Sequence, residues 1–356
     1  MSGPVRLSDV AKAAGVSLGT ASNVFNKPDQ VRPEVRTRVE TAARELGYAG
    51  PDPKGRLLMG GKVNAIGVVT ANPITYFFDN PYMNHFMAGF TEVCRKEGAG
   101  VALVSALDDE AGAWGVNSAL VDGFVLYCLA DPTRLVELAK RRKLPYIVVD
   151  FEVGSEVSSV RVDDRGGARE QVRHLLGLGH RRLAILSLLL TDKSRTTDVT
   201  ALGLVDRRRR LAAEIPVTRE RLLGYADGLA EAGLSIDDVP MIESHKEPEH
   251  AAVAAAMILD KAPEATAVVA MADILALPLL EEASRRGIAV PRDLSVVGFD
   301  DVPEAAAAEP PLTTIRQPAE EKGRLAAELI IRRGLPRHEV MPVTLVVRGS
   351  TAPPRS

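Results

Sequence analysis

From Asn64 onward the chain repeats one unit, an apolar strand-like run followed by a helix-like segment, and it does so in two series. The first series holds AIGVV (65–69), GVALVSA (100–106), GFVLYCL (123–129) and PYIVVD (145–150). After Val162 the rhythm restarts with RLAILSLLL (182–190), AVVAM (267–271) and LSVVGFD (294–300). Patterned stretches such as 84–97, 134–142 and 251–259 fall between the runs. Runs that are apolar throughout, rather than alternating, suit parallel strands covered on both faces. Two such series predict an α/β body of two doubly wound parallel-sheet lobes. Ligands of such sheets sit beyond the carboxyl ends of the strands, so the cleft between lobes is the expected site. Asp150 and Asp300 end two of the runs and are placed to face it.

The N-terminal residues obey a different period. LSDVAKAA (7–14) puts Leu7, Val10, Ala11 and Ala14 on one helical face, and Gly15 suits a left-handed helix end. Ser17 is a good N-cap for the next segment, LGTASNVFN, with Ala21, Val24 and Phe25 inward. A third helix runs from Pro33 to Leu46, with Val35, Val39, Ala42, Ala43 and Leu46 as its buried stripe and Gly47 at its end. Helix, short Gly-containing turn and second helix make a helix-turn-helix. AGPDPKGRLLMGGK (49–62) then reads as a linker.

Charge follows the same division. The chain carries −3 overall, yet residues 1–62 hold ten Lys/Arg against six Asp/Glu, a balance of +4, which leaves −7 on the rest. A basic head on an acidic body is the layout expected if only the head meets nucleic acid. The first residues lack the apolar core of a signal peptide, and no apolar run approaches the ~20 residues of a membrane span. Cys94 and Cys128 sit in apolar segments and read as buried thiols in a reducing cytoplasm.

DVAKAAGVS, TASNVFN and VRTRVETAARELGY together closely resemble the headpiece of the lactose-repressor (LacI/GalR) family. In the body, HLLGLGHRRLAIL (174–186), RERLLGY (219–225) and VPRDLSVVGFDDVPEAAAAEPPLTTIRQP (290–318) resemble its hallmark segments, so the likeness covers nearly the whole chain. It implies a DNA-binding headpiece (1–49), a hinge (50–62) and an effector-binding and dimerisation domain (63–356) like the periplasmic sugar-binding proteins. The implied lobes are about 63–162 with 292–317, and about 163–291 with 318–349, the chain crossing near Val162, Pro291 and Gln317.

The resemblance also assigns roles. Leu18, Gly19 and Asn23 occupy the base-reading positions, and Asn23 has donors and acceptors suited to a base edge. Thr20, Ser22 and Asn26 suit phosphates; Gln30 and Arg32 lie where the following loop nears DNA. Leu58 matches the side chain that wedges into the minor groove from a hinge helix, with Arg56 near the backbone. Pro53 and Gly55 depart from the helix-friendly residues usual there, and Arg6 replaces the usual Ser or Thr before the first helix, so capping is expected to shift to Ser8. In the body, Arg221 is the matched arginine, its fork suited to a hydroxyl pair; the alternative is an ion pair with Asp300 across the lobes. Asp273 either meets the effector or caps a helix, and Ala272 replaces the usual Asn before it. His245 falls roughly where an aromatic ring often stacks on the ligand, or else in a solvated loop. Phe77, with Phe78 and Tyr82, lies in the matched Asn-Pro-aromatic turn and lines the cleft or the core.

Other features point away from catalysis. The histidines lack zinc-ligand spacing, GGK (60–62) fails as a phosphate loop because Arg56 and Val63 stand at required positions, and no GxSxG elbow is present. No metal or cofactor is expected. The arginine run 207–210 reads as part of a charged, solvated insertion (191–218). The expectation is a homodimer on a pseudo-palindromic operator, a repressor released by a small, neutral, sugar-like effector, because two carboxylates and one arginine suit hydroxyls. The alternatives are corepression by a purine or nucleoside, and a sugar-binding protein without regulatory role.

Overall fold

The structure, a computed structural model, describes residues 5–26, 28–48, 50, 62–106, 110–127, 132–191 and 203–355. The chain divides into two compact units, Met1–Asn64 and Ala65–Ser356.

The first unit is built on α1 (Leu7–Ala13), α2 (Leu18–Asn26) and α3 (Pro33–Leu46). Val10, Ala11, Ala14, Ala21, Val24, Val39, Ala42 and Ala43 close its core, with Leu7, Phe25 and Val35 partly buried against them. Leu46 is a correction to the expected stripe: it is 40% exposed. The cap of α1 also differs. Asp9, not Ser8, does the capping: its carboxylate reaches back and accepts from the Arg6 backbone N–H at 2.8 Å. Gly15 and Gly47 take the left-handed conformation their positions require, at φ 62° and 69°.

Among the described residues, the second unit holds two six-stranded sheets. The first contains β1 (Ala65–Thr70), β2 (Gly100–Ser105), β3 (Gly123–Tyr127), β4 (Tyr146–Val149), β5 (Ser159–Val162) and β11 (His338–Met341), in the order β11-β5-β4-β3-β1-β2, all parallel. The second contains β6 (Leu183–Leu188), β7 (Met241–Ser244), β8 (Ala267–Ala270), β9 (Ser295–Asp300), β10 (Thr313–Arg316) and β12 (Thr344–Val346), in the order β12-β10-β9-β8-β6-β7. Only β12 runs antiparallel, at one edge. Every residue of the central β3, β6 and β8 is buried, whereas the edge strand β2 is half-buried, as coverage on both faces dictates.

Strand membership corrects the expected lobe boundaries. Residues 292–317 supply β9 and β10 to the second sheet, and the helix Ala319–Arg332 and β11 return to the first, the reverse of the expected assignment. The crossings therefore follow Val162, Gln317 and Met341; Pro291 lies inside the second lobe. The misreading has a physical source: the repeat of strand and helix shows that a chain alternates, but not which sheet receives each strand.

Glycine lets the returning helix come close. A Cβ at Gly89, in the helix Pro81–Lys96, would overlap the backbone carbonyl of Glu320, and one at Gly323 would overlap that of Phe86. This contact brings Lys322 onto Tyr82 and Asp150.

The four-arginine run is solvated at Arg207, Arg208 and Arg209, as expected, but it is helical and tied to its surroundings. Arg207–Leu211 is a short helix capped by the Asp206 carboxylate, which accepts from Arg209 N–H at 2.8 Å. Arg209 pairs with buried Glu243, and Arg210 donates to the carbonyls of Val205, Ile236 and Val239. Arg207 pairs with Asp237 at 3.0 Å. Guanidinium forks here satisfy carbonyl and carboxylate oxygens at the margin of β7, while Arg207, Arg208 and Arg209 stay exposed and Arg210 is half-buried.

Candidate DNA-reading surface and inter-lobe cleft

In the headpiece, Ser17 precedes α2; its Oγ accepts from Thr20 N–H at 3.0 Å and lies 2.8 Å from the Thr20 hydroxyl. With Ala21, Val24 and Phe25 turned inward, Gly19 and Asn23 fall on the opposite face and Ser22 at its edge. Leu18 is 55% exposed. Gly19, Asn23, Gln30 and Arg32 are exposed, and Thr20 and Ser22 half-buried. The side chain of Asn26, and Arg56 and Leu58 of the hinge, lie outside the described residues, as do Pro53 and Gly55. A Cβ at Gly19 would meet only Ser17 Oγ, at 3.8 Å. Gly19→Ala should therefore stabilise the headpiece by about 1 kcal/mol through helix propensity alone. Thermal melting followed by helical circular dichroism checks this; a lower midpoint would mean a contact at this position has been overlooked.

In the body, Asp150 follows β4 in the first lobe and Asp300 ends β9 in the second, and both have positive φ, 70° and 131°. Non-glycine residues rarely hold such backbone unless the surroundings impose it, and functional clefts are where it collects. A small cavity of about 30 Å³ is lined by both aspartates together with Tyr82, Arg221, Lys246 and Gln317. It continues into an outer cavity of about 170 Å³ lined by Tyr76, Leu188, Ile215, His245 and again Lys246. The predicted Asp150, Arg221, Asp300 and His245 thus converge on one cleft.

Each charge in the inner cavity has a partner that the sequence reading missed. Arg221 is buried, donates through Nε to Asp164 Oδ1 at 2.8 Å and bonds the Met271 carbonyl. Its guanidinium lies 3.6 Å from the centre of the Phe299 ring. Burial alone would lower its pKa; Asp164 and Asp300 outweigh that and raise it. Asp164 is pushed up by burial and pulled back by Arg221. The expected alternative, an Arg221–Asp300 ion pair, is replaced by Arg221–Asp164, and Asp300 Oδ1 accepts instead from Gln317 Nε2 at 2.5 Å. Asp150 pairs with Lys322, which also donates to the Tyr82 hydroxyl at 3.0 Å. Lys322 sits 1% exposed on the helix stripe of Ala319, Gly323, Ala326 and Ile330. A lysine on an otherwise small and apolar face was the available signal. Asp164 carried none, since it directly follows another aspartate, Asp163, that caps the same helix.

Two expected effector residues do not reach the cleft. Asp273 is wholly buried, accepting from the Thr314 hydroxyl at 2.6 Å and from Val302 N–H at 3.1 Å, so it clamps the turn after β9 to β10. It does not cap through its side chain; it stands at the first helical position, after Ala272. Phe77 is core, 2% exposed, and its neighbour Tyr76 takes the cavity wall. His245 is buried beside His250, ring centres 4.5 Å apart, which corrects the solvated-loop alternative.

The clamp has a pH signature. Burial, and then the charge of Asp300, raise the pKa of Asp273, and burial raises that of Asp300. The folded chain thus holds these protons more tightly than the unfolded one, so their contribution is fully present below the ordinary aspartate value near 4 and is lost as pH rises through the elevated values. The stability difference between wild type and Asp273→Asn, from urea unfolding, should therefore shift against wild type as pH climbs from about 4. A difference that stays constant with pH would contradict the shift.

This combination of an exposed-face helix-turn-helix and a two-lobed binding body defines a ligand-sensing DNA-binding regulator. Residues 6–50 match the model of bacterial regulatory proteins, lacI family, and residues 172–351 match a periplasmic binding protein-like domain. An HTH-type transcriptional regulator of Mycobacterium tuberculosis is 40% identical over 356 residues, covering 98% of this chain and 97% of that protein. The chain belongs to the LacI family of HTH-type transcriptional regulators, a regulatory rather than enzymatic family. Among solved structures, the lac repressor dimer bound to operator and the anti-inducer ONPF superimposes with a TM-score of 0.78 at 26% identity, over 98% of this chain and 99% of that one. The transcriptional regulator CelR–cellobiose complex gives 0.69 at 28%, over 97% and 99%. No helix among the described residues is long and apolar enough to cross a membrane.

Proposed function

We propose that the chain is a cytoplasmic homodimeric repressor that holds a pseudo-palindromic operator and releases it when a small, uncharged polyol enters the cleft. The observation that carries the effector reading is the inner cavity's charge balance. Asp150 is matched by Lys322, Asp164 by Arg221, and Asp300 faces Arg221 and Lys246. A ligand bearing its own formal charge would unbalance this set, whereas hydroxyls can both donate to the carboxylates and accept from the guanidinium. The operator-bound dimer and the cellobiose complex among the structural relatives support the same division of labour. Two heads related by a two-fold axis read two half-sites, with Leu18, Gly19 and Asn23 toward the bases and Thr20, Ser22, Asn26, Gln30 and Arg32 toward the backbone. Arg56 and Leu58 act at the centre of the site. For release, the ligand must prefer one lobe arrangement, since equal affinity shifts nothing.

The test is selection of a randomised duplex library by the full chain, against a chain starting at Lys62. Equal enrichment by both would remove the headpiece from the function. Thermal shift with neutral sugars, phosphorylated sugars and nucleosides then ranks effectors, because a ligand of the folded state raises its midpoint by mass action. Preference for a phosphorylated sugar would overturn the charge argument; a nucleoside that tightened DNA binding would favour corepression. On the selected operator, Asn23→Ala should lose roughly 1–3 kcal/mol of discrimination at one base pair. Unchanged preference at every position would show that Asn23 reads nothing.

A further inference from the structure

Lys246 lines both the outer and the inner cavity. It follows β7 of the second lobe, yet its Nζ donates to the hydroxyl of Tyr76, in the first lobe, at 3.2 Å and lies 5.2 Å from the centre of that ring. The receiving side is stiff. Tyr76 is buried, with Phe77 and Tyr127 each 6.5 Å away between ring centres. The donating side is anchored too, because the preceding His245 is buried beside His250. A hydrogen bond and a cation–π contact between two anchored neighbours together offset the rotamer entropy that the lysine side chain loses on forming them.

We propose that Lys246 and Tyr76 form a latch that holds the two lobes together across the mouth of the cleft when no ligand is bound. The latch acts on the same cleft as the effector reading, but its measurement needs no ligand, so the two fail separately. Distances between nitroxide labels on Phe78→Cys and Glu249→Cys, exposed residues at the two lips, are to be recorded by pulsed electron resonance in a Cys94→Ala, Cys128→Ala background. A single short distance should dominate in the ligand-free chain. Lys246→Met and Tyr76→Phe should each raise the population at longer distance about three- to tenfold, and the double variant no further than the stronger single one. Lys246→Arg, which keeps a cation and a donor, should restore most of the short-distance population. Superimposable distributions for wild type and both single variants would overturn the latch. So would additive effects in the double variant, or a wild type that is already mostly at the long distance.

Discussion

Replacing Lys322 with methionine should lower the unfolding free energy by roughly 3–5 kcal/mol at neutral pH, the usual cost of stranding one member of a buried ion pair. Methionine has nearly the same length, so the cost comes from Asp150, left buried without its ammonium, and from the lost bond to Tyr82. Burial alone would lower the pKa of Lys322, but Asp150 and Tyr82 outweigh it and raise it. The stability that the raised Lys322 pKa represents is therefore complete below the ordinary lysine value near 10.4 and is lost as pH rises through the elevated one. Chemical denaturation gives the number. The double variant Asp150→Asn, Lys322→Met removes both charges and should recover at least half the loss. If it is as unstable as Lys322→Met alone, packing and not charge explains the effect.

Gly89→Ala should cost about 3 kcal/mol, the upper end of what overpacking usually costs. Its added methyl would meet a backbone carbonyl, that of Glu320, which no rotamer change can move aside. Gly323→Ala meets the matching obstacle at Phe86, so it should behave alike. Gly177→Ala is the control: it is also helical, nothing lies within 4 Å of its Cβ, and propensity should leave it neutral or slightly stabilising. A Gly89→Ala protein with the wild-type urea midpoint would show that the two helices can separate at little cost. Separation would also pull Lys322 from Asp150, so a loss of effector response beyond the loss of stability is the second readout.

The headpiece and the doubly wound character of the body were legible because both rest on local periodicity. Spacing of apolar residues gave α1 to α3, and unbroken apolar runs gave the central strands. The lobe boundaries were not legible, because β9 and β10 look like any other parallel strands and only pairing decides their sheet. Strand ends did locate Asp150 and Asp300. Partners were harder: Asp164 and Lys322 reach the cleft by tertiary contacts, from helices that begin after the chain has crossed between lobes. Asp273 and Phe77 were misplaced by one residue's difference in direction. Ala272 and Tyr76, their neighbours, line the cavities, while Asp273 and Phe77 point into the body. The arginine run is as exposed as its charge suggests at Arg207, Arg208 and Arg209, but charge alone does not reveal that Arg210 ties carbonyls together.

Because three strands of backbone run between the lobes, after Val162, Gln317 and Met341, neither lobe is a continuous stretch of polypeptide. A protease that nicks one of these passages leaves the other two intact, and the cut protein stays whole under native conditions. No single truncation of the gene yields one lobe alone. Recombination that swaps sensors between relatives must therefore exchange the entire body at the linker, and cannot trade halves.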